Sequence, residues 1–285
     1  MIHLILAILC STAITVIFKV TRVDPLALVT VNYGAALAAA VLFMGAPERG
    51  LAADPGLLLL GTGLGVLFVA GFLLLAHAVQ TAGISLATSA MRLSVAIPFL
   101  ASWWIWGEVP TPGQALGLVV ALPALVLISW PRRRPSLAEA GSPGATLLLV
   151  LLFLAGGAVD TSLKAFEEVF ADENSPALFL TVVFAVALGV GSAVLGIRRL
   201  RTGRTGLTGR VLAWGALLGL VNFGSAEFML RALRQVPGTV AFPVNNVAVV
   251  TLATLLGLWL FREAIPRNRK VGLALAVLAL VLFGL

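Results

Sequence analysis

An arginine stands inside an otherwise apolar stretch at Ser89-Ala90-Met91-Arg92-Leu93-Ser94. It is about seven residues, or roughly 10 Å of helix, from the nearer polar break. A charge that deep in an apolar segment is a functional-site candidate by default. It offers a fixed fork of donors to a carboxylate or phosphate. The competing reading is a structural charge that snorkels toward the interface or pairs internally. Asn245 and Asn246 lie in a second such stretch, Pro243-Val244-Asn245-Asn246-Val247. Their amides need partners that hydrocarbon cannot supply, so they face either neighbouring helices or a wet cavity. Asp160 and Lys164, and again Glu227 and Arg231, have the acid four residues before the base, the favourable order for an intrahelical pair. If Asp160 or Glu227 faces a cavity instead, it is a candidate for proton coupling. Lys19 closes the first apolar segment as Lys164 closes the sixth, and His77 with Gln80 ends the third. Asn32 and Tyr33 are weaker cavity candidates. Substrate contact is therefore expected from Arg92, Asn245, Asn246, Glu227, Lys19, Lys164, Asp160 and His77.

These residues are embedded in a chain of 285 residues that is 60% hydrophobic and only 11% charged. An average soluble domain is about 25% charged, so the solvent of this chain is partly lipid. One cysteine, Cys10, excludes a disulfide framework and a cysteine-rich metal site. Two histidines leave little room for zinc or histidine-based catalysis, and no phosphate loop, HExxH or nucleophile elbow occurs. No enzyme activity and no cofactor are expected. Met1 leads directly into an apolar run without a basic n-region or an A-x-A site, which reads as a retained span. The net charge of +7 resides mostly in loops, at Arg132, Arg133 and Arg134 and again at Arg198, Arg199, Arg201, Arg204 and Arg210. No aromatics interleave with these arginines, so nucleic acid is not an expected partner. Topology and anionic-lipid contacts account for them.

A spanning helix needs about 20 mostly apolar residues. Ten segments qualify, near 3–21, 26–45, 57–79, 85–106, 114–130, 145–165, 176–197, 211–233, 238–260 and 271–285. Residues 57–128 align without a gap onto 212–283 at an offset of 155, matching Gln80 with Gln235, Gly83 with Gly238, Glu108 with Glu263 and Gly117 with Gly272. The first two spans of each half match more weakly, through Lys19 with Lys164 and Pro25 with Pro176. The expected fold is an all-α polytopic membrane protein of ten transmembrane helices in two inverted five-helix repeats, 1–130 and 145–285, joined by a linker at 131–144. Five is odd, so a second copy of the unit enters the bilayer upside down. Glu108 and Glu263 recur at the ends of spans 4 and 9 and are expected to cap or turn the chain. Trp103, Trp104 and Trp106 form an interfacial belt beside them.

The ten short spans, the two halves, and the end-of-span glutamate in Trp106-Gly107-Glu108 and Phe261-Arg262-Glu263 together resemble the drug/metabolite transporter superfamily, in its EamA-like branch. That resemblance covers the whole chain. It implies a compact alternating-access carrier, often an exporter of amino acids, other small metabolites or toxic compounds. It also implies a central cavity lined by spans 1, 3, 4, 6, 8 and 9, with spans 5 and 10 structural. The chain departs from the pattern in two ways. The basic loops after spans 5 and 7 place the termini outside the cell by the positive-inside rule, whereas EamA-like termini are usually cytoplasmic. Arg92 is also foreign to the mostly apolar cavities of multidrug members. The expected function is secondary-active export or exchange of a small polar metabolite, an amino acid or organic anion, across the inner or plasma membrane. Membrane lipids and a proton or counter-substrate are the expected partners, and the chain is a monomer or homodimer. A lipid or lipid-linked-sugar flippase, or a non-transporting scaffold or sensor, are the rival readings.

Overall fold

The computed structural model describes residues 1–43, 54–130, 143–261 and 266–284. Residues 131–142 of the expected 131–144 linker, with Arg132 to Arg134, and Glu263 lie outside the described residues. Regular structure is helical: α1 (Ile2–Val20), α2 (Pro25–Phe43), α3 (Pro55–Ala82), α4 (Ile84–Leu93), α5 (Ala96–Trp104), α6 (Pro112–Ser129), α7 (Pro143–Phe170), α8 (Pro176–Thr202), α9 (Gly209–Leu233), α10 (Gly238–Phe261) and α11 (Arg267–Leu282). Among the described residues, nine spans are long and apolar enough to cross a bilayer, with α4 and α5 counted together. The tenth, α11, has 16 residues, about 24 Å of helix. The ten expected spans are thus found within a few residues of their expected ends. Starts are set by local chemistry: Thr111 and Gln114 form a capping box on α6, and Ser175 and Thr208 cap α8 and α9.

Span 4 differs from the continuous helix expected over 85–106. It breaks at Ser94 and Val95 into α4 and α5. Pro98 lacks the N–H that would reach the Ser94 carbonyl, and its ring crowds that position. The Ser94 carbonyl takes the Ile97 N–H at 2.9 Å instead, and the Ser94 hydroxyl donates to the Met91 carbonyl at 2.6 Å. Upstream, Gly83 at φ 86 turns the chain between α3 and α4.

The helices form two compact units, and each draws on both sequence halves. The first comprises Met1–Val69 and Ala165–Arg234, the second Ala70–Lys164 and Gln235–Leu285. Compactness therefore does not follow the repeat boundary at 130.

In the first unit, two glycine pairs of spacing G-x3-G let helices approach closely, as small residues do in membrane proteins. A Cβ on Gly215 would meet the Val31 side chain, and one on Gly219 the Asn32 carbonyl. Symmetrically, a Cβ on Gly61 would meet Val182, and one on Gly65 the Val183 carbonyl at 2.5 Å. Val31 and Asn32 correspond to Val182 and Val183 by the Pro25–Pro176 offset. The seams α2–α9 and α3–α8 are thus the same seam made twice. Their glycines stand 154 apart, one residue less than the gap-free sequence offset.

The second unit holds the pairing of α6 with α11. A Cβ on Gly117 would touch the Phe283 ring at 3.2 Å, and one on Gly272 would touch Ile128 at 2.9 Å. Each residue of one contact is the repeat mate of a residue in the other, at 155. Such reciprocity is what a two-fold relation between like surfaces produces.

The seam predicts an asymmetric response to alanine. Gly219→Ala presses a methyl against rigid backbone and should cost about 1–3 kcal/mol. A Cβ at Gly189 meets nothing within 4 Å, so Gly189→Ala should be neutral or stabilising by up to about 1 kcal/mol. Thermal unfolding in detergent reads both, and a Gly219→Ala protein melting with the wild type would contradict the seam.

Candidate functional site

The break at Pro98 leaves Arg92 in the last turn of α4. Carbonyls at a helix C-terminus favour a cation there. Facing it, α7 carries Gly156 and Gly157. A Cβ on Gly156 would lie 2.6 Å from Ser94 Oγ, and one on Gly157 would strike the Ile97 side chain. The two glycines let the broken span lie close against α7. Asp160 is one turn beyond Gly156 and so shares that face. Arg92, Asn246 and Asp160 converge here.

Asn246 joins the other two. Its Oδ1 accepts from Arg92 Nη1 at 3.4 Å, and its amide nitrogen donates to the Phe242 carbonyl at 3.2 Å, while the Asp160 carboxylate lies near both the Asn246 side chain and Arg92. Arg92 and Asp160 interact through their charges but make no direct ion pair among the described residues. Both side chains are half-buried. Among the described residues, most of the five guanidinium N–H donors are uncommitted. Asn245 is half-buried, and its Oδ1 is a buried acceptor with no partner among the described residues.

Arg92 has residue 247 as its repeat mate and touches residue 246. A residue under two-fold symmetry contacts its own mate only near the axis. Within the second unit, the cluster therefore sits close to the pseudo-two-fold axis that relates α4 and α5 to α10.

The Asp160–Lys164 pairing expected from spacing is not the one made. Lys164 is 1% exposed and bonds Glu108 Oε1 at 2.8 Å. Glu108 Oε2 accepts the Thr239 N–H at 3.1 Å. That contact satisfies a donor in the first turn of α10, the capping role expected of Glu108, though the helix it caps is distant in sequence. Glu227 does pair with Arg231 as expected, at 2.8 Å to Nε and 2.6 Å to Nη2, while its Oε2 is buried without a partner among the described residues. Lys19 and His77 are exposed near the C-terminal ends of α1 and α3. The structure thus brings together Arg92, Asn246 and Asp160. Glu227, Lys19 and His77 are not part of that cluster, and Lys164 is engaged with Glu108. Tyr33 is buried and stacks on Phe68 at 6.4 Å, which makes it a packing residue. The residue that spacing undervalued is Pro98, whose position four after Ser94 signalled the break.

Residues 1–130 match the EamA-like transporter family. They form an EamA-like domain. The full chain is 26% identical over 289 residues to an uncharacterized protein of Haemophilus influenzae, covering 98% of this chain and 96% of the relative. A solved crystal structure has the same fold, with a TM-score of 0.78 and 15% identity, over 99% of this chain and 98% of that one. The chain is accordingly a multi-pass membrane protein whose residues 1–130 form an EamA-like domain, consistent with the drug/metabolite transporter superfamily.

Breaking the Lys164–Glu108 pair tests its structural assignment. Removing one partner of a buried ion pair costs about 3–5 kcal/mol, because the other charge is stranded. Glu108→Gln and Lys164→Met should each lower the melting temperature sharply, and the double variant should lower it by less than their sum. Additive losses would show that the two do not act as a pair.

Proposed function

We propose that this EamA-like chain is a secondary-active transporter of the inner or plasma membrane, and that it moves a zwitterionic metabolite, with an α-amino acid as the simplest member of the class. The observation that carries this reading is the amide of Asn246 standing between Arg92 and Asp160. A cation and an anion held apart by one neutral amide keep capacity for a second partner. A zwitterion is complementary to both: its carboxylate replaces the long contact at Arg92, and its ammonium takes Asp160. The buried oxygen of Asn245 supplies a further acceptor for an N–H.

A simple anion would leave Asp160 facing a like charge, and a lipophilic cation would do the same to Arg92. Like charges in a site of low dielectric are strongly disfavoured. Lys164 and Glu227 already hold ion-pair partners, which moves the substrate role toward Arg92, Asn245, Asn246 and Asp160. Transport follows by alternating access, the two repeats rocking about the cluster near their axis. A gradient or an exchanged solute drives it, with Asp160 and Glu227 as the carboxylates available for coupling. Export or exchange is the direction the resemblance implies.

The test is uptake of labelled amino acids by proteoliposomes. Charge-assisted hydrogen bonds contribute about 1.5–3 kcal/mol, so Arg92→Ala should lower kcat/KM roughly ten- to hundredfold. Asp160→Asn should lose the amino acid and gain the corresponding deaminated acid, whose anion no longer meets a like charge. Unchanged transport by both variants of every accepted substrate would remove the cluster from the site.

A further inference from the structure

A cavity lies in the first unit, far in chemistry from the charged cluster. It is an open groove of about 530 Å³ among α2, α8 and α9. Its walls are apolar or small for most of their length: Val31 and Gly34 on α2, Leu188 and Gly196 on α8, and Leu212 on α9. The groove exists because side chains are missing. A Cβ at Gly196 would meet nothing within 4 Å.

One end of the groove is different. Arg199, in the last turn of α8, and Thr205, in the connection to α9, line it there. The neighbouring Arg198 is held in a clasp. Its Nη1 donates to both carboxylate oxygens of Asp24, at 2.9 and 2.7 Å, and its Nη2 donates to the Thr205 carbonyl. Partial burial opposes the charge on Asp24, but the Ala27 N–H and the hydrogen bond and charge of Arg198 outweigh it and hold the carboxyl below its ordinary range. Asp24 is therefore ionised at neutral pH and cancels Arg198. Arg199 has no partner among the described residues, and Arg201, Arg204 and Arg210 add uncompensated charge at the same end. The clasp fixes the rim, and Arg199 supplies its charge. Thr205 Oγ1 accepts from the Leu207 N–H at 3.4 Å and keeps its own proton to donate.

We propose that this groove is a lipid site, holding one acyl chain of an anionic phospholipid with its phosphate against Arg199 and the Thr205 hydroxyl. Length agrees with this occupant. From Leu188 to Arg199 the helix rises about 16 Å, close to one leaflet of a hydrocarbon core about 30 Å thick. Charge agrees as well, since a basic rim at the end of an apolar slot between spans complements an anionic head group. A soluble metabolite would waste the apolar walls, and a neutral lipid would leave Arg199 unused. The site is independent of the Arg92 cluster and of the substrate proposed for it.

Native mass spectrometry of the purified full chain, titrated with phosphatidylglycerol or with phosphatidylcholine of identical acyl chains, tests the proposal. Wild type should bind phosphatidylglycerol more tightly. A basic residue near the membrane surface contributes about a fivefold change in affinity, so Arg199→Gln should weaken phosphatidylglycerol by about that factor and leave phosphatidylcholine unchanged. Gly196→Leu, placed in open space on an intact helix, should weaken both lipids by filling the slot. Equal binding of the two lipids by wild type would overturn the proposal, as would a Gly196→Leu protein that binds both lipids as wild type does.

Discussion

A bilayer core has no water with which to satisfy a polar group, and this constraint orders the rest of the molecule. Every charge that the chain carries inside its spans must find a partner in protein. Lys164 meets Glu108, and Glu108 meets the first turn of α10. Glu227 meets Arg231 one turn on. Arg92 and Asp160 are treated differently, since a single amide separates them instead of a direct bond joining them. Burying opposite charges without letting them close is costly in stability, and such a cost is retained at sites that use it.

The same constraint explains the small residues. Helices in lipid gain no hydrophobic drive from meeting one another, so they associate by close backbone approach. Gly61 and Gly65 on one side, and Gly215 and Gly219 on the other, build the same seam twice. Gly117 and Gly272 do so across α6 and α11. At the charged cluster, Gly156 and Gly157 have no glycine counterparts: the Lys19–Lys164 correspondence matches them with Ser11 and Thr12. Symmetry sets the scaffold, and the proposed substrate site lies where the two halves differ.

Much of this was legible in the sequence, for physical reasons that also mark where reading fails. Spans follow from hydropathy because lipid leaves few alternatives to helix. Arg92 and Asn246 stood out because an intramembrane polar group is rare enough to need a cause. Asp160 was visible, but its partner was not. Helical spacing offers Lys164, and that local preference is worth only a few tenths of a kcal/mol. Glu108, 56 positions away in the sequence, binds Lys164 and leaves Asp160 to Asn246. The break in span 4 was written in Pro98, whose effect falls four residues upstream. Grouping of the helices into units that mix the two halves is a tertiary outcome, and no local pattern encodes it.

The central claim is that Arg92 and Asp160 together recognise opposite charges on one small molecule. Thermal stabilisation of the wild-type protein by matched ligands measures this most directly. An α-amino acid should raise the melting temperature, while its deaminated acid and its decarboxylated amine, at the same concentration, should not. Equal stabilisation by either half, or a response confined to lipid head groups, would contradict it.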